Sequence, residues 1–190
     1  MKVRQLQKEQ RKQAIFSKSL ELFISKGYTA TKISDIAKSV GMSNVLFFHY
    51  FPNTEKLYEE LVTIGLKATQ KITDNTNIPA IIFFENLSEF LLKEIDKCSF
   101  TSQMFALMNM AARSNDTPQS VKVIVSQIDT TFELSKIIKV GQEEGTIKLG
   151  NEFALANTFL SCVSGIAEHK VINKEMILPE SSWITDIIRK

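Results

Sequence analysis

The sequence predicts an all-α fold: a small N-terminal three-helix domain carrying a helix-turn-helix, and a larger C-terminal helical body. Three observations carry this prediction. Apolar residues recur at spacings of three and four, the signature of amphipathic helices, with few β-like alternations. Clusters of Gly, Pro, Asn, Asp and Ser punctuate the runs where helices start and stop. At 190 residues and 44% hydrophobic content, the chain holds one small unit plus a larger core. The division is placed at residues 1–53 and 54–190.

A basic amphipathic first helix opens the chain, and Gly27 closes it. In the second helix Ile33, Ile36, Ala37 and Val40 fall on one face, leaving Lys32, Lys38 and Ser39 outward; Thr31 is its expected cap. Gly41 then turns the chain in a left-handed conformation, and Ser43 accepts from free backbone N–H groups at the next helix start. Phe47 and Phe51, four apart, anchor the third helix inward. Ser43, Asn44, Val45, Leu46, Phe48 and His49 are left on its outer side. Two short helices joined in this way present one of them to a groove of double-stranded DNA, although glycine-turned helix pairs also occur in helical proteins of every kind.

Helix four is expected over residues 54–73, capped by Asn53 and broken by Asp74, Asn75, Thr76 and Asn77 ahead of Pro79. A fifth helix lines one face with Ile81, Phe84, Leu87, Phe90, Leu91 and Ile95. The sixth covers residues 101–113. Thr117 as cap and Pro118 as first helical residue start a seventh that runs unbroken to Glu144. Gly145 ends it, residues 146–150 connect, the eighth spans 152–171, and another begins near Pro179.

Charge is unevenly distributed. Residues 1–58 carry ten Lys or Arg against four acids, a balance of +6, while the remainder carries thirteen against seventeen, a balance of −4. The overall +2 thus conceals a basic amino end, which suits a polyanion partner or a well-solvated first helix. Arg4, Lys8, Arg11 and Lys12 are the expected phosphate-facing cations.

Other classes gain little. Cys98 and Cys162 form neither a ligand cluster nor a disulfide framework, and no apolar leader precedes the charged start, so a reducing cytoplasm is expected. No uncharged run, including the one between Glu152 and Glu168, reaches the roughly 20 apolar residues that span a bilayer, so no membrane partner is expected. His49 and His169 lie far apart, Glu59-Glu60 and Glu143-Glu144 are adjacent and diverge around a helix, and no Gly-rich phosphate loop or metal-ligand spacing occurs. No catalytic residue, metal or cofactor is predicted, and the chain is not expected to be an enzyme.

Residues 14–51, and several just beyond, resemble the N-terminal domain of the TetR family of bacterial transcriptional regulators. The residues that carry the resemblance are Leu22-Phe23, Gly27-Tyr28, Thr31, Ile33, Ile36-Ala37, Gly41-Met42-Ser43, His49-Tyr50-Phe51, Pro52-Asn53, Glu55 and Leu57. The resemblance implies a ligand-responsive DNA-binding regulator, most often a repressor, that binds a palindromic operator as a homodimer and is released by a small apolar or amphipathic effector. It implies DNA contacts from Arg4, Thr31, Lys32, Ser43, Asn44, Val45, Leu46, Phe48, His49 and Lys56. The chain departs from the family pattern where Asn44-Val45 replaces Lys-Gly, Phe48 replaces a phosphate-contacting Tyr, and Thr54 replaces the Lys opening helix four. Val45-Leu46 suits thymine methyl groups and Asn44 suits adenine or a phosphate, which predicts an operator containing A/T pairs. A helical small-molecule carrier or protein-interaction module without specific DNA binding is the alternative that these departures leave open.

The body is rich in Phe and Met, which either fill a core or line an adaptable cavity; in the family such a cavity holds an effector. Phe84, Phe105, Met108, Asn109, Gln127 and Thr131 are the candidate ligand-binding residues. In the eighth helix Asn157, Ser161 and Gly165 recur every four residues, a shallow stripe for a second helix, either of the same chain or of a dimer partner. In the family the last two long helices of each subunit build the dimer interface.

Overall fold

The computed structural model describes residues 2–73, 78–97, 100–127 and 129–190. Among the described residues the chain forms ten helices and no strand. They fall into two compact units, Met1–Gly65 with Leu107–Ser126, and Leu66–Ala106 with Gln127–Lys190.

The first unit holds α1 (Lys2–Lys26), α2 (Ile33–Ser39), α3 (Asn44–Phe48), the first part of α4 (Thr54–Thr73), the last part of α6 (Phe100–Arg113) and α7 (Gln119–Val125). Ile15, Phe16, Leu20 and Phe23 of α1, Ile36 and Ala37 of α2, Phe47 of α3, and Leu57, Tyr58 and Leu61 of α4 are buried. These are the apolar positions at spacings of three and four. Gly27 ends α1 at φ +81, where its N–H donates to Phe23 O at 2.9 Å. Asn53 caps α4 as expected, its Oδ1 accepting from Lys56 N at 2.8 Å.

Thr31 departs from expectation. The residue preceding α2 is Lys32, which makes no side-chain cap. Thr31 is 4% exposed, and its hydroxyl instead donates back to Gly27 O at 2.7 Å and Leu22 O at 3.3 Å. It stitches the α1–α2 turn from the inside, so a DNA contact through this side chain is not available.

The second unit contains the rest of α4 and α6, with α5 (Ala80–Asp96), α8 (Thr130–Glu143), α9 (Glu152–Ile172) and α10 (Ser181–Thr185). Its core joins Phe84, Leu91 and Ile95 to Leu134, Ile138, Phe159, Val163, Ile184 and Ile188. The Phe84 and Phe159 rings meet nearly edge to face, with centroids 5.0 Å apart. Gly141 lets Ile147 and Ala80 approach α8 closely. The C-terminus is strapped to the α8–α9 connection by Lys148 N–H donating to Ile188 O and Lys190 N–H donating to Thr146 O.

Three expectations need correction here. The single seventh helix is two, α7 and α8, because Asp129 accepts from Phe132 N at 2.9 Å and starts a new helix where the apolar pattern alone continues. Thr117 is buried and does not cap; Pro118 occupies the residue before α7, with no side-chain cap. Phe90, assigned to the inner face of α5, is 48% exposed. The expected break at Asp74, Asn75, Thr76 and Asn77, and Cys98, lie outside the described residues. No helix among the described residues is long and apolar enough to cross a membrane.

Candidate nucleic-acid interface

Local hydrogen bonding creates the turn between α2 and α3. Gly41 adopts φ +67, a conformation costly for a residue with a Cβ, and Met42 N–H donates to Ala37 O at 2.9 Å. Ser43 Oγ then accepts from Leu46 N at 3.2 Å and opens α3. α3 is short, five residues, with His49 as its C-terminal cap.

Phe47 and Phe51 are both fully buried, and their ring centroids lie 5.9 Å apart. That anchor holds the opposite side of α3 outward. Ser43, Asn44, Val45, Phe48 and His49 are exposed, Val45 by 73% and Phe48 by 51%, whereas Leu46 is half-buried. The Phe48 ring is held edge-on against Phe47, centroids 6.3 Å apart at 85°.

Cations surround this face unequally. Arg4, Lys8, Arg11, Lys32 and Lys38 are exposed, and none makes an ion pair among the described residues. Lys56 is exposed but hydrogen-bonds Glu59 at 2.6 Å, which raises the lysine and lowers the glutamate from their ordinary pKa values. Lys12, expected at a phosphate, is drawn inward: its Nζ lies 2.6 Å from Glu60 Oε2 and over the Phe16 and Phe51 rings, at 5.3 and 5.4 Å. The signal for this was present in Phe16, four residues on, but its reading required knowing where Phe51 and Glu60 fold.

Two further contacts were not legible in the sequence. Ser120 of α7 donates to Glu55 of α4 at 2.5 Å, tying the start of α4 to a segment 65 residues away. Tyr28 and Tyr58 stack at 5.4 Å with Phe23 beside Tyr58 at 4.7 Å, and burial pushes the Tyr58 phenol up to about 12.

The candidate ligand residues are divided between the two units. In the second unit Phe84 is fully buried in the core, Phe105 and Thr131 are half-buried and Gln127 is exposed; Met108 and Asn109 belong to the first unit. A half-open cavity of about 210 Å³ is lined by Ile78, Ala80, Phe83, Lys136, Ile137 and Val140, none of them among the six. Of the α9 stripe, Asn157 and Ser161 are exposed, and Gly165 is half-buried with open space where a Cβ would stand.

An anchored, glycine-turned short helix with a bare outer face, beside cations that make no ion pair among the described residues, has the form of a helix-turn-helix DNA-binding unit. Residues 15–61 match the sequence model of the bacterial regulatory proteins of the tetR family. The chain is 25% identical over 163 residues to the HTH-type transcriptional regulator YvkB of Bacillus subtilis, covering 83% of this chain and 81% of the relative. It is 26% identical over 147 residues to IcaR of Staphylococcus aureus, the negative transcriptional regulator of the biofilm operon icaADBC, covering 74% of each chain. The fold is shared with AibR, solved with isovaleryl coenzyme A and operator DNA, at a TM-score of 0.69 and 16% identity over 93% of this chain and 94% of that one. Residues 15–61 thus carry the DNA-binding segment characteristic of the tetR family, and the chain as a whole is similar to HTH-type transcriptional regulators.

Proposed function

We propose that this protein is a ligand-responsive transcriptional repressor that binds a palindromic operator as a homodimer and leaves it when a small effector binds. The exposed outer face of α3, held rigidly by Phe47 and Phe51, is the observation that carries the reading. Asn44, Val45, Phe48 and His49 face the bases, while Ser43, Lys32, Lys38, Lys56, Arg4, Lys8 and Arg11 approach the backbone.

A repressor role accords with IcaR, a negative regulator, and an effector accords with AibR, whose structure holds both a ligand and operator DNA. Dimerisation through α9 is supported by the open stripe of Asn157, Ser161 and Gly165; an isologous helix pair there sets two reading heads about one DNA turn apart. The second unit is the effector-binding part. Its cavity of about 210 Å³ is smaller than the roughly 300–1,000 Å³ of drug-sized ligand sites, so the effector is small or selects a wider conformer. Release requires different effector affinities in the DNA-bound and free conformers, and the same coupling makes DNA weaken effector binding.

The test is a footprint on fragments drawn from the source genome, with affinity followed against salt. A two-fold symmetric footprint and a steep salt slope are expected. Absence of salt-dependent duplex binding would leave a helical carrier or interaction module instead.

A further inference from the structure

The amino end of α1 projects beyond the fold. Lys12 is drawn onto it, with Nζ 2.6 Å from Glu60 Oε2 and lying over the Phe16 and Phe51 rings. Ahead of Lys12, residues 4–11 are exposed throughout, and the first buried side chains of the helix are Ile15 and Phe16. From Lys2 to Arg11 this end extends about 15 Å. A helical stretch that short has little stability of its own, because helices below about 12–15 residues are marginal in water without tertiary packing.

Arg4, Lys8 and Arg11 stand four and three residues apart, so they form one stripe about 10 Å long. Like charges at these spacings repel along the helix. Arg4 also lies in a first turn that holds no acid, at the positive end of the helix dipole. The stripe therefore opposes the helix that displays it. A row of phosphates reverses both effects, since it neutralises the repulsion and rewards cations held on one face. At about 3.4 Å of axis per nucleotide of one strand, the stripe spans about three nucleotides. A lipid surface fits less well: Gln5, Gln7, Glu9 and Gln10 take the other positions, and Leu6 is the one apolar side chain of residues 4–11. Position favours a duplex too, because Lys12 covers Phe51, which with Phe47 anchors α3, so the stripe leaves the fold beside the exposed face of α3.

We propose that residues 4–11 are a clamp ordered by DNA: partly helical in the free protein, and completed as helix when Arg4, Lys8 and Arg11 engage the phosphate backbone beside α3. The proposal rests on the regulator reading above and adds a coil-to-helix step to binding. Ordering consumes part of the contact energy, so the helix propensity of residues that touch no DNA sets the affinity.

The experiment follows amide hydrogen exchange along the full chain, alone and with a mixed-sequence duplex at low salt, since phosphate contacts need no particular operator. Residues 4–11 should exchange faster than residues 15–23 in the free protein and gain protection on the duplex. Gln7→Gly and Gln10→Gly should each weaken binding about three-fold through helix propensity alone, with the salt slope unchanged, and Gln7→Ala should tighten it. The triple variant Arg4→Ala, Lys8→Ala and Arg11→Ala should lower the slope by about 2.7, which is about 0.9 for each of three phosphates. All these side chains are exposed, so thermal melts should match the parent and keep the readout on binding. Full protection of residues 4–11 in the free protein, or glycine variants that bind as the parent does, overturns the ordering step. An unchanged slope in the triple variant removes the clamp from the DNA, and protection by phosphatidylserine vesicles but not by the duplex reassigns it to a lipid surface; either result overturns the proposal. The regulator reading survives these outcomes as long as the full chain binds duplexes in a salt-dependent way, and falls with the proposal if it does not.

Discussion

Lys12 reaches Glu60 across the first unit, Nζ to Oε2 at 2.6 Å, and in doing so covers the Phe16 and Phe51 rings. A basic residue of the amino end thereby serves the fold beneath α3 rather than the polyanion outside it. Phe51 is one of the two anchors that hold the outer face of α3 toward solvent.

Lys12→Ala and Arg4→Ala should therefore separate stability from DNA binding. Truncating Lys12 removes a partly exposed ion pair and a cation–π interaction, together about 1 kcal/mol, and lowers the melting temperature with the salt slope unchanged. Arg4→Ala should leave the melt alone and reduce the slope of log affinity against log salt by about 0.9 for each phosphate that is no longer neutralised. Equal flattening of the slope by both variants would place Lys12 on the DNA.

Alkaline pH should unfold the first unit through Tyr58. Burial raises its folded pKa from 10.0 to about 12, so the unfolded state deprotonates first. Stability is fully present below pH 10.0 and falls as pH rises toward about 12, by about 2–3 kcal/mol in all. Denaturant titrations across that interval should show the decline, and Tyr58→Phe should abolish most of it. An unchanged slope in that variant would assign the alkaline limb elsewhere.

Acid should act through the start of α4. Hydrogen bonding to Lys56 holds the Glu59 carboxyl below its ordinary 4.5, so its contribution is present above that pH and disappears as pH falls through the lower folded value. Lys56→Ala should remove this part of the acid dependence, read as smaller differences between melts at neutral pH and below pH 4.5.

Two glycines should respond oppositely to alanine. At Gly141 a Cβ would lie 2.5 Å from Ile147 Cδ1 and 2.9 Å from Ala80 Cβ, and Gly141→Ala should cost about 1–3 kcal/mol. At Gly165 nothing lies within 4 Å, and the single chain should accept Gly165→Ala without destabilisation. Gly165→Leu then tests the dimer face: sedimentation should show weakened self-association at an unchanged fold, whereas an unaltered dimer would move the interface off this stripe.

Local chemistry was legible in the sequence. Gly27, Gly41 and Gly145 turn at positive φ, and Ser43 and Asn53 cap their helices, because each of these depends on one residue's conformational range or one short hydrogen bond. The inward anchors Phe47 and Phe51 followed from a spacing of four. Thr31 and Thr117 failed as caps because both were drawn into the interior, where burial outweighs a terminal hydrogen bond. The seventh helix was drawn too long because the apolar period does not register Asp129 as a fresh start.

By itself the sequence determined the helical class, the glycine-turned pair and the basic amino end, since periodicity, turn chemistry and charge are properties of neighbouring residues. Tertiary structure alone decided which basic side chains of the amino end stay out of ion pairs, that Phe48 and not Leu46 joins Val45 on the exposed face of α3, and that Ser120 ties α7 to α4. These depend on residues distant along the chain coming within a few ångströms, a relation that no local pattern encodes.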